Sequence, residues 1–291
     1  MLSYVYEVLT LVAVFAIGSL GLALIVSQAG MLSLAHGASI GLGAYAFSLL
    51  AVTAGWPPAA ALLAAMVISG LIGGVIAYFS CDLDEEQFAV TTLAINILIV
   101  NILINWTGLT QGSYGISQIP RLTIFGFGTT RIEFLVLCTV AAVVTYAFMQ
   151  RLAASEFGTL LRASAVQKDV VEALGASVLS LRVKAVTAGS VAAGLAGALF
   201  AMHSGYIAPQ LFELHLSILL LAMVVVGGGV SMAGAVFGAA ILVLIPEVLR
   251  FVASSAASAG PLRQIVFGSL LLAVVFFQAH RRSRRAMSGK S

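Results

Sequence analysis

The stretch RLAASEFGTLLRASAVQKDVVEALGASVLSLRVK, residues 151–184, interrupts a chain that is otherwise poor in charge. Its eight ionisable side chains are Arg151, Glu156, Arg162, Lys168, Asp169, Glu172, Arg182 and Lys184. Apolar segments long enough to cross a bilayer flank the stretch on both sides. It is therefore predicted to be a long water-exposed loop between two membrane spans, in a bundle of transmembrane helices.

Inside this loop the sequence predicts a helix of one to two turns. Asp169 is expected to cap the free backbone N–H groups, with Glu172 reaching back as in a capping box. Gly175 is expected to end the helix, because glycine adopts the left-handed conformation without steric penalty.

The predicted loop helix carries Val170, Val171 and Leu174 on one side. A short amphipathic helix at a membrane surface is suited to docking in a groove of a partner protein. The same pattern also suits a helix that packs back on its own bundle. The residues of the loop alone leave both interpretations open.

Composition supports an all-α, polytopic membrane fold. Of the 291 residues, 61% are hydrophobic and 9% are charged, whereas ordinary soluble domains carry about 25% charged residues. A transmembrane β-barrel would instead show short alternating strands. The two cysteines, Cys81 and Cys138, have neither metal-ligand nor disulfide spacing and are predicted to be free thiols.

About nine spans are predicted, and the first is counted as a span because no basic segment of a signal peptide precedes it. Two segments are predicted to be broken or half-depth elements, because glycine and polar residues interrupt their apolar runs: the short seventh span and residues 28–39. The predicted spans are residues 5–26, 36–54, 59–79, 88–106, 132–150, 185–203, 216–227, 235–253 and 262–278.

Basic residues predict the orientation. The tail at residues 280–291 holds five Lys and Arg residues, and such segments favour the cytoplasmic side. Nine spans then place residues 151–184, and the acidic turn at 80–87, on that same side. The amino terminus and the loop at 107–131 are expected outside.

Small residues share faces of two spans and predict close helix packing, because lipid tails give apolar helices no reason to associate. The third span carries Gly70, Gly73 and Gly74. The sixth carries Gly189, Ala193 and Gly197.

Neutral polar residues are the candidates for a solute pathway, because almost no ionisable residue is predicted at mid-depth. Intramembrane carboxylates are typical of proton- and sodium-coupled carriers, so the energy source is expected in another subunit. The alternative role for such residues is hydrogen bonding between helices. The candidates are His36, Thr92, Asn96, Asn101 and Asn105.

No catalytic constellation is recognised: the chain has no HExxH motif, and it shows no nucleophile–base or metal cluster. It is therefore predicted to be a transport subunit and not an enzyme, with no metal site.

An ordered series of motifs, covering nearly the whole chain, resembles the membrane permease subunits of branched-chain (hydrophobic) amino acid ABC importers, and among them the second permease of the pair. The motifs are LSLAHG (32–37), GLGAY (41–45), FAVTTL (88–93), NWTG (105–108), GSYGISQIP (112–120), FG (157–158), EALG (172–175) with Lys184, AGLAGA (193–198), Pro209, and the glycines around 227–238.

The resemblance implies a single permease domain over residues 1–291, in the plasma (inner) membrane of a prokaryote. Residues 151–184 are then the cytoplasmic coupling loop, and ATP is bound by partner subunits. The implied partners are a homologous second permease, two cytosolic ATP-binding subunits and a soluble substrate-binding protein, with 112–120 as a candidate docking surface. The implied coupling residues are Asp169, Val170, Val171, Glu172, Leu174 and Gly175.

The sequence departs from the family pattern at Val230, where glycine is usual, and at Ala235, where proline is common. An acidic stretch, 82–86, replaces basic residues. These departures leave the class intact and the solute open, since related permeases carry urea, short amides and other amino acids. A channel or secondary carrier that works without partners is the alternative from another class.

Overall fold

The computed structural model describes residues 2–124, 127–128, 130–229 and 231–252, which form a bundle of α-helices. The helices are α1 (Leu2–Ala29), α2 (His36–Ser48, continued by a π-helical turn, Leu49–Thr53), α3 (Pro58–Ser80), α4 (Glu85–Asn105), α5 (Thr107–Thr110), α6 (Arg131–Ala154), α7 (Glu156–Val166), α8 (Lys168–Ala173), α9 (Val178–Ser204), α10 (Leu214–Val226) and α11 (Met232–Val252). The two-residue strands are β1 (Ile116–Ser117), β2 (Thr123–Ile124), β3 (Phe127–Gly128) and β4 (Tyr206–Ile207).

The all-α, multi-pass architecture is confirmed. In the described part of the chain, seven helices are long and apolar enough to cross a membrane, and Met232–Glu247 is a shorter apolar helix. Eight of the nine predicted spans coincide with these helices. The ninth, 262–278, and the basic tail lie outside the described residues, as does Val230.

Helices α2, α3 and α9 meet through small residues at the centre of the bundle. A Cβ atom on Gly43 would lie 2.4 Å from the Gly194 Cα, and one on Gly73 would lie 2.0 Å from the Ser190 hydroxyl oxygen. The Ser69 hydroxyl donates at 3.0 Å to the Ser39 carbonyl. The predicted packing through glycine is therefore present, and it brings backbones into direct contact.

The expected interruption near residues 28–39 is present. Helix α1 ends at Ala29, residues 30–35 are not helical, and α2 begins at His36. The His36 Nε2 atom donates to the Gly18 carbonyl at 3.0 Å. Gly18 lies eleven residues before the end of α1, about 16 Å along the helix. Helix α2 therefore starts inside the bundle and not at its end.

The seventh span is also short, as expected. Helix α10 has 13 residues, about 20 Å of helix, and a 3-10 turn at Pro209–Phe212 precedes it. Its end packs against the start of α11, where a Cβ atom on Gly227 would lie 1.9 Å from the Gly234 carbonyl oxygen.

The two ends of the bundle differ. At one end, here called the α7–α8 end, α7 and α8 pack against the last turns of α1 and α3 and the first turn of α9. At the opposite end, β1 pairs antiparallel with β4, and Arg131 at the start of α6 lies 3.1 Å from the Glu7 carboxylate. Residues 107–124 and 205–208 are therefore on the side opposite α7 and α8.

Candidate coupling surface and candidate pathway

The predicted loop at 151–184 is shorter and more ordered than its sequence indicated. Helix α6 continues to Ala154 and α9 begins at Val178, so the connection is 155–177. The sequence analysis missed α7. Its buried residues Gly158, Leu161 and Ser164 are three apart, which is a signal for one buried helix face.

The expected capping of the loop helix is wrong. Helix α8 begins at Lys168 with Gln167 as its N-cap, and no side chain caps it. Asp169 therefore lies in the first turn, where its negative charge favours the helix start. The end is as predicted: Gly175 has φ +85°, and the N–H of Ala176 donates to the Val171 carbonyl at 3.2 Å, which satisfies a terminal carbonyl.

The apolar residues of α8 do not share one side. Val171 is 2% exposed and packs in a cluster with Phe88, Leu161 and Val178. Val170 is 51% exposed and Leu174 is 76% exposed. One valine thus anchors α8 on the bundle, while the other two apolar side chains point away from it. This pair, Val170 and Leu174, is called the exposed pair below.

Polar contacts hold α7 and α8 in place. The Arg162 guanidinium donates to the Gln28 side-chain oxygen at 2.6 Å and to the Ala153 carbonyl at 2.9 Å, which joins α7 to the ends of α1 and α6. Lys168 lies 3.2 Å from the Asp82 carboxylate. The acidic turn is therefore on the side of α8, as the orientation argument predicted.

Cys81 is a buried free thiol in this region. Burial raises its pKa to about 12, although the Arg182 guanidinium favours the thiolate. The thiol therefore stays protonated at every pH well below 12, and it reacts slowly because the thiolate is the nucleophile.

Three of the five pathway candidates are buried and hydrogen-bonded. The Thr92 hydroxyl accepts from the Leu34 N–H at 3.1 Å. The Asn96 side-chain N–H donates at 3.2 Å to the Ser217 hydroxyl, which accepts from the Gly37 N–H at 2.9 Å. His36 is also buried. These contacts tie α4 and α10 to the start of α2.

The other two candidates, Asn101 and Asn105, are exposed on α4. Each side-chain N–H donates at 2.8 Å to a carbonyl of the preceding turn, on Ile97 and Asn101 respectively. The structure thus divides the five candidates into two groups. Three are buried residues whose hydrogen bonds join helices, and two are exposed amides on one face of α4.

Sequence reasoning missed two ionisable residues, Glu213 and His215, at the start of α10. Both are exposed, and Ser217, four residues after Glu213, is bonded near the middle of α4 and near the start of α2. Glu213 and His215 are therefore exceptions to the expectation that almost no ionisable residue lies at mid-depth. The signal was present: Glu-Leu-His follows Pro209 and leads directly into an apolar run.

The described residues form a multi-pass bundle of membrane-spanning helices with a buried polar junction at its centre, which defines the class of polytopic integral membrane proteins. The chain belongs to the family described as the permease component of branched-chain amino acid transport systems, which matches residues 4–275.

Curated relatives are similar over most of the chain. The high-affinity branched-chain amino acid transport system permease protein LivM of Salmonella typhimurium is 30% identical over 268 residues, covering 84% of this chain and 63% of the relative. LivM of Escherichia coli gives the same identity and coverage. A probable LivM permease of Methanocaldococcus jannaschii is 25% identical over 227 residues, covering 75% of this chain and 66% of the relative. The chain thus spans under two thirds of its relatives' length, and no solved structure matches it significantly.

Proposed function

We propose that this chain is a permease subunit of an ABC importer for branched-chain or related amino acids. The observation that carries the proposal is the exposed pair on α8. Two apolar side chains project from a helix that Val171 and Lys168 fix on the bundle. Such a surface suits a groove in a cytosolic ATP-binding subunit. Asp169, Glu172 and Gly175 then belong to the same contact.

The translocation path, on this proposal, forms between the chain and a homologous second permease. Asn101 and Asn105 are exposed on α4, so they suit a path along the outside of the chain. His36, Thr92 and Asn96 are buried, and they hold the path's helices in place through hydrogen bonds. ATP-driven closure of two ATP-binding subunits would bias the two permeases between an outward and an inward opening.

A soluble binding protein would deliver the solute at the opposite end. Residues 112–120 are the candidate docking surface, where Tyr114 is 89% exposed. Its carbonyl accepts from the Tyr206 hydroxyl at 2.9 Å, so the surface is braced against the segment after α9. The α7–α8 end is then cytoplasmic, in the plasma (inner) membrane of a prokaryote, and so is the basic tail.

Cysteine labelling tests this orientation. In vesicles that hold the chain without its ATP-binding subunits, a Leu174→Cys variant is expected to react with a membrane-impermeant maleimide only when the vesicles are inside-out. Tyr114→Cys is expected to react only in right-side-out vesicles. The unmodified chain provides the matched background, because Cys81 and Cys138 are buried and the raised pKa of Cys81 keeps its thiol protonated at pH 7–8. Labelling of Leu174→Cys from the periplasmic or outer side would reject the orientation.

Co-purification tests the subunit assignment. Tagged chain from its native membrane is expected to bring down a homologous permease and ATP-binding chains in fixed stoichiometry. The reconstituted complex, with its binding protein, is expected to take up radiolabelled leucine only with ATP. If the purified chain alone moved leucine, urea or a short amide into liposomes without ATP, the channel or secondary-carrier alternative would be correct.

A further inference from the structure

The start of α10 lies at the middle of the bundle. Asn96, which bonds Ser217, is one residue from the midpoint of the 21-residue α4. Ser217 also bonds Gly37, two residues before Ser39. Ser69, the middle residue of the 23-residue α3, donates to the Ser39 carbonyl. Two independent chains of contacts therefore place Ser217 at the mid-level of the helices.

Glu213 lies about one helical turn from this level. It is the N-cap of α10, four residues before Ser217, which is about 6 Å along the helix. Its side chain is exposed, and no described residue forms an ion pair or hydrogen bond with its carboxylate. His215 is exposed beside it. Ionisable side chains at this depth are costly against lipid and line water-filled cavities or protein interfaces instead.

The positive end of the α10 dipole lies at Glu213, and negative charge is stabilised there. The exposed amide of Asn101 is five residues beyond Asn96 on α4, about 8 Å along that helix. Glu213, His215 and Asn101 are therefore three exposed polar residues within about 8 Å of the mid-level along their helices.

We propose that Glu213 is a substrate-binding residue of the translocation path, and that its carboxylate binds the ammonium group of an amino-acid substrate. The inference rests on the proposed transport function. It adds a ligand group and a binding residue to that function. A carboxylate that is partly shielded from bulk water attracts a cationic amine more strongly than one in bulk water, and an uncharged analogue lacks this attraction.

Accessibility is the first test and does not depend on transport. A Glu213→Cys variant of the assembled complex is expected to react with a cationic, membrane-impermeant methanethiosulfonate. Millimolar leucine should slow the reaction at least threefold, whereas the 2-hydroxy acid with the same side chain should not. The buried Cys81 and Cys138 give little background. A thiol that does not react, or that leucine does not protect, overturns the proposal.

Uptake is the second test. Glu213→Gln is expected to lower ATP-driven leucine uptake by the reconstituted complex at least tenfold. The matched control, Glu86→Gln, removes an equally exposed carboxylate near the α7–α8 end and should retain wild-type uptake. Wild-type uptake by Glu213→Gln would also overturn the proposal. Absence of ATP-driven uptake by the unmodified complex would instead reject the proposed function, and the leucine-protection result would still decide the role of Glu213.

Discussion

Replacing both Val170 and Leu174 by aspartate is expected to reduce leucine uptake and leucine-dependent ATP hydrolysis at least tenfold. The pair is exposed, so the chain should still fold and insert. The few side chains that dominate an interface contribute about 2 kcal/mol or more each, and two buried carboxylates without partners add a desolvation cost. ATP-binding subunits should therefore dissociate from the affinity-purified permease on washing, and their retained amount is the direct measurement.

The matched control is Val170→Ile with Leu174→Met, which keeps the surface apolar and similar in volume. This variant is expected to retain uptake and its ATP-binding subunits. Val171→Asp serves a different purpose, because Val171 is buried in the chain's own cluster and its replacement should lower the stability of the isolated permease. Wild-type uptake and ATP hydrolysis in the double aspartate variant would remove α8 from the coupling role.

Gly43→Leu is expected to destabilise the permease strongly. A Cβ atom there would lie 2.4 Å from the Gly194 Cα and 2.5 Å from its carbonyl oxygen, and neither backbone atom can rotate away. Overpacking of this kind costs about 3 kcal/mol or more, or roughly a 5–10 °C lower unfolding midpoint. Fluorescence-detected size-exclusion chromatography after heating in detergent measures that midpoint.

Gly108→Leu is the comparison for this substitution. Gly108 lies in the short α5, and nothing lies within 4 Å of a Cβ atom built there. The unfolding midpoint of the Gly108→Leu variant should stay close to that of the unmodified chain. Equal midpoints for the two leucine variants would mean that α2 and α9 do not meet through Gly43 and Gly194 in the membrane.

Most of the fold could be predicted because hydropathy determines where a chain can cross a bilayer. The helix ends were less predictable. Helix α9 extends to Val178, seven residues before the expected start of the sixth span, because a charged side chain near a membrane surface does not stop a helix. Arg182 and Lys184 are ordinary helical residues there and were interpreted as loop.

The candidate sites were predicted unevenly. The Gly175 stop was predictable because a local backbone conformation demands it. The exposure of Val170 and the burial of Val171 could not be predicted, since they depend on where α7, α4 and α9 leave a space for one side chain. Glu213 was missed because depth is a tertiary property: the residue precedes its apolar run in sequence, yet the turn at Pro209–Phe212 carries it into the bundle.

Arg162 gives the α7–α8 end a direct connection to the remainder of the bundle. Through Gln28 it holds the last turn of α1, and the same 28-residue helix carries Glu7, which pairs with Arg131 at the opposite end. A stiff rod about 42 Å long thus runs between the two faces of the molecule. A mechanical load applied at one face would reach the other as a tilt of this rod, without any need to deform the helices packed around it.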